Sequence, residues 1–389
     1  MYGTGDNTTL PGPETKITAS DGAQNDEFGS ADTVAVGSDR IVIGSPFDDD
    51  AGGASGSAYI FDLDGNLITK ITASDAAGND RFGRSVAVGS SRIVVGAYFD
   101  DDNGSNSGSA YIFDLNGNQL AKITASDGAA DDNFGDNVAV GSGRIVVGAP
   151  ADDDNGTNSG SAYIFDLNGN QLAKITASDG AASDDFGEAV AVGNGRIVVG
   201  AFFDDIPDAT NAGSAYIFDL NGNELTKITA SDATGFEQFG RKVAVGNGRI
   251  VVGAPTNDTS ANNGGAVFIF DLEGNELAKI TANDASDFDL FGDAVSIGSG
   301  RIVVGAPFTD DNGTDSGSAY VFDLEGNQLT KILASDGTAG DELGQSVAVG
   351  SGRIVVGAPN NDLDKGAVYV FSTPDVVTPY DVRDWEDGY

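Results

Sequence analysis

The sequence predicts an all-β fold, a seven-bladed β-propeller of four-stranded antiparallel blades closed by its N-terminal strand, and three observations carry that prediction. First, one unit of about 52 residues recurs seven times. Its marker Lys-Ile-Thr-Ala-Ser-Asp begins at Lys16, Lys70, Lys122, Lys174, Lys227, Lys279 and Lys331, with Asn283 for Ser in the sixth copy and Leu333 for Thr in the seventh. A period of that size built from short strands signals a propeller or an array. Second, 56 Gly and 10 Pro punctuate strands rich in Val, Ile, Phe and Tyr, and no segment keeps a helical period beyond a few residues. Third, the chain ends are complementary: residues 14–19 read as a fourth-type strand with no preceding three, and the last copy stops after its third strand at Phe371.

The third copy shows the elements in order. Phe134-Gly135 opens a first strand ending at Val140, Gly141-Ser142-Gly143 turns the chain, and Arg144 to Pro150 makes a second strand. A loop rich in Asp, Asn and Gly follows over 152–160, a composition of structured turns rather than strands. Ser161 to Leu167 is the third strand, Asn168-Gly169 a hairpin turn that requires positive φ, and Gln171 to Thr176 the fourth strand. Four such strands joined up-and-down make one blade.

Closure follows from the half-blades. Pairing Glu14–Ala19 with the last strand completes the seventh blade and leaves no open sheet edge. The alternative, an open stack of seven sheets, calls for polar caps at both ends. The domains are therefore an extension over 1–13, one propeller over 14–371 and a tail over 372–389 that holds Trp385, Tyr380 and Tyr389.

Charge narrows the setting. Sixty acids against 20 bases give a net charge of −40, which disfavours nucleic acid and anionic membrane as partners and favours divalent cations, basic partners or a high-salt milieu. With no Cys there are no disulfides, and with no His the commonest general base and transition-metal ligand is missing. The N-terminus has no basic stretch followed by an apolar core, so either a leader has been removed or the protein reaches its site without one.

Phe-Gly stands at 28–29, 82–83, 134–135, 186–187, 239–240 and 291–292. Gly-Ala-Pro stands at 148–150, 253–255, 305–307 and 357–359, with variants at 44–46, 96–98 and 200–202. This pattern resembles the FG-GAP repeat family, the seven-bladed propellers of integrin alpha subunits and of many bacterial and marine surface proteins, and the resemblance covers residues 14–371. It implies a non-enzymatic module at an extracellular, cell or particle surface that serves adhesion, recognition or assembly. One departure matters: the family's calcium loop lies between the first and second strands, where this chain has only short turns such as Gly141-Ser142-Gly143. That site is not carried over.

The repeated acids fall elsewhere. An up-and-down blade places the fourth-to-first and second-to-third loops on one face of the ring. The first of these loops carries two series, Asp21, Asp75, Asp127, Asp179, Asp232, Asp284 and Asp336, then Asp26, Asp80, Asp132, Asp184, Glu237, Asp289 and Asp341. The second carries Asp49, Asp101, Asp153, Asp205, Asp258, Asp310 and Asp362. One reading is calcium as cofactor, since hard divalent cations take six to eight oxygens. The candidate ligands are then Asp48, Asp49, Asp50, Asp100, Asp101, Asp102, Asn106, Asp152, Asp153, Asp154, Asn158, Asp205, Asp258, Asp310, Asp311 and Asp362, best in the Asp-Asp-Asp-Asn-Gly-x-Asn runs at 100–106 and 152–158. The other reading is that these acids cap turns through backbone N–H groups. For the three-acid loops of the first three blades the metal reading is favoured, because adjacent carboxylates repel one another without a cation.

On the opposite face, Arg40 and its six equivalents are expected to pair across strands with Asp62 and its equivalents. Function is sought where the repeat breaks: Tyr98, Phe99, Phe202 and Phe203 are candidate ligand-binding residues for a protein or glycan polymer, with gap-filling between loops as the alternative. Phe47, Phe308, Phe236 and Phe288 interrupt the same face. The tail is a candidate self-assembly contact. Competing functions are a structural subunit of a filament, sheath or virion and a polysaccharide lyase or glycosidase. Evenly spread acids with no unique catalytic constellation argue against the latter.

Overall fold

The computed structural model describes residues 12–373; residues 1–11 and 374–389, including Tyr380, Trp385 and Tyr389, lie outside the described residues. Seven four-stranded antiparallel sheets form the ring. In the third blade the strands are Val138–Gly141, Arg144–Ala149, Ser161–Phe165 and Gln171–Ile175, the last three close to their predicted spans. The first strands of neighbouring blades approach one another and line an axial cavity. The fourth strands form the periphery and are partly exposed.

Phe134-Gly135 was expected inside the first strand but forms a turn ahead of it, because Gly135 has φ 96°, outside the extended region. The Phe is an anchor instead. Phe134 is fully buried, edge-on to Tyr163 and Phe165 at ring separations of 5.4 and 5.9 Å. Equivalent rings fill the seams between blades: Phe186 packs with Ala162 and Ile164 of the third blade and Tyr216 and Phe218 of the fourth. Burying one such ring stabilises by about 2–3 kcal/mol, so the apolar core is divided among the seams rather than held within the blades. The two repeated glycines meet at the same seams. A Cβ on Gly44 would lie 2.0 Å from the carbonyl oxygen of Gly83, so the strand and the incoming turn approach too closely for any side chain.

Closure is as predicted, two residues shorter. Glu14–Ile17 pairs antiparallel with the last strand, Ala367–Ser372, in the register Glu14↔Phe371 to Ile17↔Val368, giving one sheet built from both chain ends. Glu14 also accepts a hydrogen bond from the Ser335 hydroxyl at 2.6 Å, as Glu224 does from Ser178 at 2.8 Å in an internal blade.

The expected Arg–Asp cross-strand pairs are corrected by the structure. Arg40, Arg92, Arg144, Arg196 and Arg353 donate from Nε to the carbonyls of Leu115, Leu167, Leu220, Leu272 and Leu63, each in the next blade. Asp62 turns back on its own hairpin and accepts from the backbone N–H groups of Asp64 and Asn66. A guanidinium has several donors and reaches a neighbouring blade, whereas the short Asp side chain is captured by the nearest turn.

Candidate functional site on the acid-bearing face

The second-to-third loop of each blade and the loop leading into the next are knitted by backbone bonds such as Asn79 N to Gly53 O at 2.8 Å and Phe82 N to Ser55 O at 3.0 Å. Onto this scaffold the fourth strand projects the Lys of the repeat marker. Lys122 Nζ lies 2.8 Å from Asp75, 2.9 Å from Asp100 and 2.6 Å from Asp102. Lys70 holds Asp21, Asp48 and Asp50, and Lys174 holds Asp127, Asp152 and Asp154, with the same geometry. Tyr111 places its hydroxyl 2.9 Å from both Asp75 and Asp100, and the ammonium sits 5.3 Å from its ring centre. Each cluster is thus a cation ringed by carboxylates and backed by an aromatic face.

All seven blades keep the lysine, but the number of acids around it falls. Lys227 holds Asp179 and Asp204, and Lys331 holds Asp284 and Asp311. Lys279 has Asp232 and the Thr259 hydroxyl, and Lys16 has Asp336 and the Asn361 amide oxygen. The charges respond to one another. Burial raises the Asp75 carboxyl, but the bonds from Lys122 and Tyr111 outweigh it and leave the group below its ordinary value. Burial lowers the Lys122 ammonium, and its bonds to Asp102, Asp75 and Asp100 reverse this and push it up.

The other two acid series cap turns. Asp80 and Asp132 accept from the backbone N–H groups of Ala77 and Ala129 at 2.7 Å. Burial, only partly offset by that bond, pushes Asp80 up to about 6. Asp49, Asp101, Asp153, Asp205, Asp258 and Asp310 accept from the N–H groups of Ala54, Asn106, Asn158, Asn211, Asn263 and Asp315 at 2.6 to 2.9 Å. Asn106 also donates its side-chain amide to Asp131, and Asp362 lies in a left-handed turn 3.8 Å from Lys365.

Of the predicted aromatic pairs, Phe202 is buried and Tyr98, Phe99 and Phe203 are half-buried. Tyr98 and Phe99 stack with ring centres 3.9 Å apart, Phe202 and Phe203 with 4.0 Å, and Phe202 is only 5% exposed. Cations cover them: Arg81 lies over Phe99 and Phe47, Arg84 over Tyr98, and Arg241 over Phe202. Among the described residues, the exposed rings are Phe236 and Phe288, at 66% and 56%.

At the axis, a cavity of about 180 Å³ is lined by first-strand residues of every blade, among them Val34, Val86, Val138 and Lys242. Charges of both signs crowd its mouth. Lys242 reaches Asp32 at 2.6 Å, joining blades five and one, and Arg84 lies 3.5 Å from Asp32 and 3.4 Å from Asp136. Glu188 is pushed up to about 8, first by burial and then by Asp136. Sequence reasoning passed over this network. Its signal was visible: the residue after Phe-Gly is Arg84, Asp136, Glu188, Arg241 and Asp293 in successive copies, a charge that changes sign at one repeat position. The lysine clusters were passed over too, although the marker begins with Lys in every copy.

The FG-GAP repeat pattern matches residues 12–61, 66–113, 118–165, 170–218, 223–270, 275–322 and 327–371. The chain belongs to the FG-GAP repeat family. Each match runs from a fourth strand through the third strand of the following blade, the same offset that closes the ring. No curated protein matches this FG-GAP chain.

Calcium, the cofactor expected from the repeated acids, meets an obstacle in this FG-GAP propeller. Carboxylate oxygens of Asp21, Asp48 and Asp50, and of Asp75, Asp100 and Asp102, lie within 4.8 Å of one another, close enough to share an ion. The centre of each group is taken by Lys70 or Lys122, and the next acids along, Asp49 and Asp101, are committed to backbone N–H groups. As arranged, these residues hold an ammonium; a calcium ion would have to displace it.

Proposed function

We propose that this propeller is a non-enzymatic recognition and adhesion module that presents its loop-bearing face to a partner at an extracellular, cell or particle surface. The observation that carries this reading is the saturation of the repeated acids. The acids set around Lys70, Lys122 and Lys174 are shared with an ammonium and a tyrosine hydroxyl. The capping series is spent on backbone N–H groups. A general acid or nucleophile needs a group set apart from its equivalents, whereas a rigid ring with varied loop tips suits binding. The net charge of −40 favours basic partners and rejects polyanions.

The test is to incubate the protein with a panel of polysaccharides and basic peptides, following saturable binding alongside viscosity and new reducing ends. Saturable binding with no turnover is the expected result, and cleavage of any bound polymer overturns the reading. A calcium-loaded rim is the second reading, favoured by the two triads whose oxygens lie within 4.8 Å. Thermal melting in calcium and in chelator decides between the lysine and the ion.

A further inference from the structure

One seam departs from the rest. In the loop leading into each blade, one position has positive φ and carries Asn25, Asn79, Asp131 and Ser183 in the first four copies, and Gly340 in the last. Copies five and six place Phe236 and Phe288 there, at φ 67° and 70°. Left-handed backbone suits Asn, Asp and Gly and is unfavourable for a bulky side chain, and both rings are more than half exposed. Two residues on, Leu290 is also left-handed, at φ 52°. Phe288, Leu290 and Phe308 line a cleft of about 590 Å³ between blades five and six, together with Asp287, Asp310 and Asp315. Asp287 and Asp310 accept only backbone N–H bonds, from Asn262 and Asp315, and among the described residues none of the three acids has a cation partner.

Exposed apolar surface rimmed by polar groups marks an interaction site, and strain kept at such a place has a use beyond folding. The charge selects the occupant. Carboxylates without a cation partner around apolar walls, on a chain of net charge −40, attract a cationic partner and repel an acidic one. An uncharged sugar would stack on the rings but leave the acids uncompensated. We propose that the cleft between blades five and six docks a basic polypeptide segment, with Phe288, Leu290 and Phe308 gripping a bulky apolar side chain and Asp287, Asp310 and Asp315 receiving its flanking lysines or arginines. The cleft has room for one large aromatic side chain and adjoining backbone. Phe236 stands exposed at the preceding seam, where a continuing segment would pass. This inference rests on the recognition reading above and names its site and partner.

The experiment is fluorescence anisotropy with a labelled peptide of alternating tryptophan and lysine, beside the same peptide with glutamate for lysine and an uncharged oligosaccharide. The lysine peptide should bind saturably and more weakly as salt rises; the glutamate peptide and the sugar should not bind. Phe288→Asn should weaken binding at least tenfold while melting at the same or a higher temperature, since Asn25 and Asn79 hold the same turn at φ 68° and 73°. Asp287→Asn with Asp315→Asn should reduce both affinity and its salt dependence. Absence of saturable binding by the lysine peptide, equal binding of the glutamate peptide, preferential binding of the sugar, or full affinity in Phe288→Asn each overturns the assignment. Partner binding that persists in Phe288→Asn sinks the cleft and leaves the recognition module standing, whereas cleavage of a bound polymer sinks the module itself.

Discussion

The turn at Asn79, between blades one and two, and the turn at Phe288, between blades five and six, have the same backbone and opposite surfaces. Their φ values are 73° and 70°, and each N–H donates at 2.8 Å to a carbonyl of the preceding blade's loop, Gly53 or Asn262. At the first turn a polar side chain suits both the left-handed backbone and the solvent. At the second, an exposed ring is tolerated in a conformation that disfavours it. At this turn the contrast separates two uses of one position: the polar residue keeps to the local rules of stability, and the ring that breaks them exposes the surface proposed above for binding.

If the repeated part is architecture, damage to it should register in stability, and the largest effect should come from the chain ends. Deleting residues 1–20 removes the partner of the last strand together with the Lys16–Asp336 ion pair. A loss on the order of 5 kcal/mol, or aggregation through the opened edge, is expected in denaturant melts. Next comes the cation at a three-acid cluster: Lys122→Met leaves Asp75, Asp100 and Asp102 facing one another and should cost about 3 kcal/mol.

The axial network gives a prediction in pH. Glu188 is raised from an ordinary 4.5 to about 8, so between these values the folded chain holds a proton that the unfolded chain has released. Stability from this group is therefore full below about pH 4.5 and declines as pH rises towards 8. Glu188→Gln should melt like the wild type at pH 4 and higher than it at pH 8 to 9; a parallel offset at all pH values would contradict the assignment. The smallest effect is expected at Tyr111→Phe, which removes the hydroxyl from Asp75 and Asp100 and should cost about 1 kcal/mol by chemical denaturation. Blade five already carries this change, with Phe268 under Lys279.

Much of this was legible in the sequence, for identifiable reasons. A repeat of seven copies fixes the blade count, and strand alternation with Asn-Gly turns fixes each blade, so even the closing strand was readable from the two half-blades. Side-chain partners were less so. A run of acids leaves Asp101 open to two readings, metal ligand or turn cap, and only the fold shows that it accepts the Asn106 N–H five residues on. The partner of Lys122 is not legible in the sequence because 22 residues separate it from Asp100, a distance that only the folding of the third and fourth strands removes. For Tyr98 and Phe202 the sequence leaves two readings, ligand-binding rings and fillers between loops, because their place in a loop does not show what covers them. Their cover, Arg84 and Arg241, comes from a different loop at the channel mouth, which a repeat alignment does not bring beside them.

An internal ammonium and a bound ion are the two ways to neutralise the acids of the rim. Calorimetric melting of the wild type and of Lys122→Met, each in millimolar calcium and in chelator, distinguishes them directly. Seven internal ammonium groups predict coincident wild-type curves, and a destabilised Lys122→Met that calcium partly restores by filling the vacated centre of Asp75, Asp100 and Asp102. A wild type that melts several degrees higher in calcium than in chelator would contradict it.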